Sequence, residues 1–192
     1  MESMDRFRRN AGLAWILGGV AAMLLWSLTR PGPGAGAVTW VVSGVAALAA
    51  AFQLAAPQLR WWTARLAGGV IGVLLLGAVA DRFGLLGANG DPGVSWGDWS
   101  HFRAETAQLV PWSHLVSTAA VAATLAELLL GSMLVAGLAW RWTGKLAAGL
   151  FVVYLVAMVP GMGPSSVLQY GIPVLIGGCL LASARGERRP AR

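Results

Sequence analysis

A carboxylic acid inside an apolar segment is the residue of this sequence with the clearest potential for chemistry. Glu127 lies near the middle of the run 114–139 and is the only acidic residue in any of the long apolar runs. A charge at that depth costs about 2.5–3.5 kcal/mol on insertion scales, so we expect the side chain to face protein. Small and polar residues share its helical face at three- and four-residue steps, namely Ser117, Ala120, Thr124 and Gly131. This face predicts a contact with a neighbouring helix.

Glu127 is the candidate catalytic residue, because a carboxyl that exchanges its proton with an oxidised or reduced ring suits quinone chemistry. The alternative is structural, with Glu127 hydrogen-bonded to a neighbouring helix. Tyr154 lies at a similar depth in the run 146–162, and we predict that its hydroxyl bonds Glu127 if the two helices are neighbours. Asp81 and Arg82 follow the run 64–80 and are candidate quinone-binding residues. For them the alternative is an ion pair and anchor at the membrane end.

The connection 81–113 is the only long loop, and its second half predicts an amphipathic helix. Ser95 with Asp98 three positions on resembles a capping box, and Pro111 marks the end. Two neighbouring stripes follow, one of Trp99, Phe102, Thr106 and Leu109 and one of Asp98, His101, Glu105 and Gln108. We expect this helix to lie on the outer membrane surface as a lid over the bundle.

His101 and Glu105 are the lid residues with candidate chemistry. They would line a mouth in the functional interpretation, with the imidazole exchanging a proton near neutral pH. The alternative is a solvated pair four residues apart on the helix. A His-x3-Glu spacing without further ligands does not indicate a metal, and we predict no metal site.

The elements that must position these residues are membrane helices. The chain is 57% hydrophobic and 11% charged, against about one-quarter charged residues in an average soluble domain. Helices satisfy their own backbone hydrogen bonds in lipid, so each apolar run predicts a spanning helix. The runs are 11–29, 38–56, 64–80, 114–139, 146–162 and 166–184. The predicted fold is therefore an all-α membrane protein with six transmembrane helices.

The basic residues predict the orientation of these spans. Of the 14 Lys and Arg residues, all but Arg30, Arg82 and Arg103 fall on the side of the membrane that also holds both termini. The positive-inside rule places that side in the cytoplasm, and the tryptophans near helix ends agree with it. Because the basic residues alternate with apolar runs, the charge of +6 indicates membrane orientation and not nucleic-acid binding. Cys179 is the single cysteine, which excludes a redox pair within the chain.

Residues 65–186 carry a set of local motifs that resemble one family. They are Arg65-Leu66-Ala67-Gly68-Gly69, Asp81-Arg82-Phe83-Gly84, Asp91-Pro92-Gly93-Val94-Ser95-Trp96-Gly97-Asp98-Trp99, Pro111-Trp112, Ala126-Glu127 with Gly131, and Arg141-Trp142. In these motifs the chain resembles the DoxX family of small bacterial membrane proteins, relatives of the membrane subunit of thiosulfate:quinone oxidoreductase. The resemblance implies a four-helix module over 64–186, preceded by a two-helix extension over 1–63 and followed by a basic cytoplasmic tail over 187–192.

The resemblance also implies a function. We expect an integral subunit of a quinone-linked oxidoreductase or redox-protection complex in the bacterial inner membrane, with a protein partner that supplies or accepts electrons. No cofactor is expected within the chain, since the spans lack a haem-ligand histidine and the sequence lacks a flavin motif. The alternative is a non-enzymatic scaffold or accessory subunit of a larger membrane complex. A transporter is a third hypothesis, weakened by the lack of a visible inverted repeat.

Overall fold

A computed structural model describes residues 2–29 and 35–184 of the chain, and these residues form helices and connecting turns without any β-strand. The helices are α1 (Glu2–Thr29), α2 (Ala37–Ala55), α3 (Arg60–Arg82), α4 (Trp99–Leu109), α5 (Val116–Ala136), α6 (Trp140–Met162), α7 (Pro164–Gln169) and α8 (Ile172–Ser183). Short 3-10 turns at Pro57–Leu59 and Ser113–Leu115 precede α3 and α5. The all-helical fold class is therefore confirmed.

Five of these helices are long and apolar enough to cross a membrane. They correspond to the first five predicted runs and occupy Ser3–Thr29, Ala37–Ala55, Arg60–Arg82, Ser113–Ala136 and Trp140–Met162. Each reaches or approaches the roughly 20 residues that a spanning helix needs. The first begins well before residue 11, so the basic amino-terminal segment continues the same helix.

The sixth predicted run is not one continuous helix. The structure divides it into α7, of six residues, and α8, of 12, so neither piece alone has the length of a span. Gly171 takes a left-handed backbone conformation at φ 64°, which glycine adopts without strain and which ends a right-handed helix. Pro173 then lies in the first turn of α8, where its missing N–H is not needed. Apolar composition alone did not reveal this break.

Helix α8 runs antiparallel to α1 along a close glycine contact. A Cβ atom added to Gly12 would lie 2.8 Å from the carbonyl oxygen of Gly177, and one added to Gly19 would lie 2.9 Å from a methyl of Val174. Later residues of α8 thus meet earlier residues of α1, and the described ends of the chain lie on the same side of the bundle. The predicted extension packs directly on the predicted module, while the division into domains stays a prediction.

The contact between α3 and α5 positions the polar residues of the membrane region. A Cβ on Gly72 would lie 2.8 Å from the carbonyl oxygen of Gly131, so the two backbones nearly touch. The predicted small-residue face of α5 is buried at Ala120, Thr124, Glu127 and Gly131. Ser117, the first member of that predicted stripe, is exposed. The helical face was thus predicted correctly except at its first residue.

Candidate functional site

A buried ion pair joins the end of α3 to the middle of α5. Arg82 is the last residue of α3, and its Nη2 atom lies 2.8 Å from Oε1 and 2.7 Å from Oε2 of Glu127. Both residues are 2% exposed. Removing two charges from water is expensive, and only close pairing and further hydrogen bonds compensate for it. Arg82 and Glu127 therefore form a compact charged centre within an apolar bundle.

Two hydroxyl groups complete this centre. Nη1 of Arg82 donates to Oγ1 of Thr124 at 2.9 Å, one helical turn before Glu127. The hydroxyl of Tyr154 on α6 donates to Oε1 of Glu127, which confirms the predicted contact between these side chains. We call Arg82, Thr124, Glu127 and Tyr154 the charged cluster. It connects α3, α5 and α6.

The charged cluster keeps unused hydrogen-bonding capacity. Nε of Arg82 and Oε2 of Glu127 are buried and make no hydrogen bond within the described part of the chain. Nη2 of Arg82 does approach Oε2 at 2.7 Å, and we take that approach as an ionic contact without hydrogen-bond geometry. A buried polar group without a partner costs about 1–3 kcal/mol. Nε of Arg82 and Oε2 of Glu127 are therefore the buried polar atoms of the charged cluster that make no hydrogen bond with the described residues.

Two aromatic rings cover Arg82. Its guanidinium carbon lies 3.7 Å from the ring centroid of Phe102 and 5.0 Å from that of Trp96, both within cation–π range. Phe102 belongs to α4, and Trp96 lies in the loop just before it. The apolar side of α4 thus faces the bundle, with Phe102 and Thr106 buried. The apolar side of α4 therefore rests on protein and covers Arg82, while the position of the helix on the outer membrane surface stays a prediction.

Asp81 fastens this lid to α3. Its carboxylate accepts backbone N–H groups from Ser95 at 2.9 Å, from Trp96 at 3.2 Å and from Gly97 at 3.1 Å. Gly97 has a left-handed backbone conformation, and a Cβ there would lie 2.2 Å from the backbone nitrogen of Asn89, so this position requires glycine. Asp81 is 4% exposed. It belongs to the lid attachment, while its neighbour Arg82 belongs to the charged cluster, so the alternative of an ion pair between them is wrong.

The N-cap residue of α4 differs from the one predicted. Asp98, and not Ser95, is the N-cap residue, and its side chain accepts the backbone N–H of His101 at 2.9 Å. Hydrogen bonds from the Ser100 hydroxyl, then from the backbone and ring of His101, hold the pKa of Asp98 well below its usual range. The helix ends at Leu109 before Pro111, as predicted.

His101 and Glu105 do not act together. The exposed His101 ring lies with Nδ1 2.7 Å from Oδ2 of Asp98. Glu105 turns inward, where it accepts Trp96 Nε1 at 2.7 Å and the Tyr170 hydroxyl at 3.0 Å. Trp96 therefore lies between a basic and an acidic side chain, contacting Arg82 with its ring and donating its N–H to Glu105. Neither the solvated His101–Glu105 pair nor a mouth lined by both residues is present.

Of the six predicted site residues, the structure unites Arg82, Glu127 and Tyr154 and places the others around the lid. Sequence reasoning did not assign site roles to Thr124, Trp96, Phe102 or Tyr170. The stripe of small and polar residues on α5 was a usable signal for Thr124, which lies one turn from Glu127. Aromatic residues in a loop gave no comparable signal, because interface anchoring explains them equally well.

Comparison of the chain with protein-family models, with curated proteins and with solved structures gives no match. The described residues also contain no cluster of three or more His, Cys, Asp and Glu side chains that could hold a metal ion. The charged cluster and the lid that covers it are thus the features of the structure that bear on function.

Proposed function

We propose that the chain crosses a bacterial inner membrane six times with both termini in the cytoplasm. The antiparallel course of α1 and α8 supports an even number of crossings, with α7 and α8 together making the last one. Labelling of single cysteines with a membrane-impermeant maleimide tests this, using Ser3→Cys for the cytoplasmic side and Ala104→Cys for the outer side. We expect Ala104→Cys to react in intact cells and Ser3→Cys only after lysis. Equal reaction of both in intact cells would contradict the arrangement.

We further infer that the protein is a DoxX-like membrane subunit of a quinone-linked oxidoreductase. The observation that carries this proposal is the buried Arg82–Glu127 pair, of which the Nε and Oε2 atoms make no hydrogen bond to any described residue. Hydrophobic residues of similar volume often stabilise a fold as well as a buried ion pair does, so stability alone is a weak reason for its presence. Ionisable groups at membrane depth usually mark a path for a substrate, an ion or a proton.

The chemistry of a quinone head group matches these two atoms, which local opening of the lid would have to expose. Nε–H of Arg82 would donate to a ring carbonyl, and Oε2 of Glu127 would accept the hydroxyl proton of the reduced ring. Tyr154 donates to the other carboxylate oxygen, which holds the carboxylate in place. The protein partner would supply or accept the electrons. Trp96 and Phe102 would exclude water from the outer side.

Binding of a short-chain ubiquinone analogue to the protein in lipid nanodiscs tests this proposal. Loss of a hydrogen bond to a charged group costs about 1.5–3 kcal/mol, so Glu127→Gln should weaken binding roughly 10- to 100-fold. Tyr154→Phe should weaken it less. Val153→Ala, on the exposed side of α6, is the matched control and should bind as the unmodified protein does.

The alternative function, a non-enzymatic accessory subunit, is favoured by one feature of the same cluster. Arg82 and Glu127 neutralise each other, and Thr124 and Tyr154 add two hydrogen bonds, as in a purely structural contact between helices. Purification in mild detergent separates the two functions. Bound quinone supports the oxidoreductase subunit, whereas a stoichiometric protein partner without quinone, together with no titratable binding of the analogue, would overturn it.

A further inference from the structure

An uncharged apolar segment follows α3 on the outer side. Phe83, Leu85 and Leu86 are 59%, 75% and 55% exposed, and residues 83–90 contain no charged side chain. Exposed apolar side chains are common singly, but a cluster of them indicates an interaction surface. On sequence grounds, contact with the membrane surface was expected from α4.

Hydrogen bonds hold this segment at the level of the helix end. The backbone N–H groups of Phe83 and Leu85 donate to the carbonyl of Ala80 at 3.2 and 3.0 Å, and that of Gly84 donates to Asp81 at 3.0 Å. Gly84 takes a left-handed conformation at φ 70°, which turns the chain sharply. The exposed side chains therefore lie within one turn of the end of a membrane-spanning helix.

The segment is also joined to the lid. The Phe83 ring stacks on Trp99, the first residue of α4, with centroids 6.0 Å apart and planes 13° apart. Asp81 binds the three lid amides from the same turn of α3. The segment therefore contacts the same lid that covers Arg82.

We propose that Phe83, Leu85 and Leu86 form an anchor that inserts into the outer interface of the lipid bilayer and holds the base of the lid there. The lipid is the partner because the segment lies within one turn of the end of α3, a helix that is long and apolar enough to cross a membrane and that exposes Leu66 and Val73. The absence of charge between residues 83 and 90 suits the acyl boundary better than bulk water. The inference rests on the proposed transmembrane arrangement but does not depend on quinone binding.

Nitroxide labels at single cysteines test the anchor in vesicles of phosphatidylcholine and phosphatidylglycerol. The labelled positions are Leu85→Cys and Leu86→Cys in a Cys179→Ala background. Oxygen concentrates in the bilayer and a nickel chelate in water, so power saturation with each reagent reports the surroundings of a label. Val73→Cys is the lipid-facing control, and Ala104→Cys, on the exposed side of α4, is the aqueous control.

We expect labels at Leu85 and Leu86 to be more accessible to oxygen than to the nickel chelate, as at Val73, with the reverse at Ala104. Accessibility at Leu85 and Leu86 that resembles Ala104 would place the segment in water and overturn the anchor. Low accessibility to both reagents would indicate a covering protein, such as a second copy of the chain, and would also overturn it. Aqueous behaviour at Val73 itself would instead contradict the transmembrane arrangement.

Discussion

The Arg82–Glu127 pair is the part of the structure for which substitution has the most distinctive expected outcome. Glu127→Leu leaves a guanidinium buried without its counter-charge, and Arg82→Met leaves a buried carboxylate in the same state. Removing one partner of a buried pair typically costs about 3–5 kcal/mol. With both residues 2% exposed and their charged atoms 2.7–2.8 Å apart, we expect each single variant to lose this amount.

The double variant Arg82→Met with Glu127→Leu should behave differently. If the main role of each charge is to neutralise the other, replacing both by apolar side chains removes the desolvation cost together with the attraction. Similar replacements elsewhere are neutral or stabilising by about 1–4 kcal/mol. Independent effects would instead add to about 6–10 kcal/mol. The expected interaction free energy is therefore at least as large as that sum.

Equilibrium unfolding in mixed micelles of dodecyl maltoside and sodium dodecyl sulfate, followed by circular dichroism, provides the free energies for this cycle. Thr124→Val is a graded control, since it removes one hydrogen bond to Arg82, worth about 1.5–3 kcal/mol, together with the bond from the Thr124 hydroxyl to the backbone carbonyl of Ala120. A double variant that loses the full sum of the two single losses would refute the reasoning, because the charges would then not compensate each other in the folded protein.

Three further predictions concern the contacts that surround this pair. Gly72→Ala places a methyl 2.8 Å from a backbone oxygen of α5 and should destabilise the protein by about 1–3 kcal/mol in the same unfolding assay, whereas Gly77→Ala, which meets nothing within 4 Å, should not; equal losses would contradict the close approach. Asp81→Asn weakens the bonds to the lid amides, so hydrogen exchange at residues 95–97 should become faster while exchange in α5 does not change; unaltered exchange at 95–97 would contradict the attachment. The pKa of Asp98 is lower in the folded protein than in the unfolded chain, so its cap stabilises α4 fully above the unfolded pKa of about 3.9 and is lost as the pH falls through the folded value. Protection of the α4 amides, corrected for intrinsic exchange, should therefore be constant from pH 8 to 5, and a loss of protection on acidification within that range would contradict the assignment of the cap.

The membrane helices could be predicted because the bilayer imposes one simple requirement on the sequence. A backbone in lipid must satisfy its own hydrogen bonds, so an apolar run of sufficient length forms a helix whatever its neighbours are. Five of the predicted runs follow this rule. The sixth departs from it at Tyr170 and Gly171, where a local glycine conformation interrupts a run that is apolar throughout. Composition reports on the solvent around a segment and not on its backbone angles.

The sequence by itself also determined that Glu127 is buried and which helical face it shares, because an acid at membrane depth has to turn toward protein. Only the tertiary structure decided its partners. Arg82 lies 45 residues earlier in the chain and Tyr154 lies 27 residues later, and helix periodicity does not reveal which helices are neighbours. The adjacent residues Asp81 and Arg82 diverge for the same reason. The lid amides bind Asp81, whereas α5 binds Arg82. Packing between segments that are distant in the sequence determines these contacts, and spacing along the chain does not.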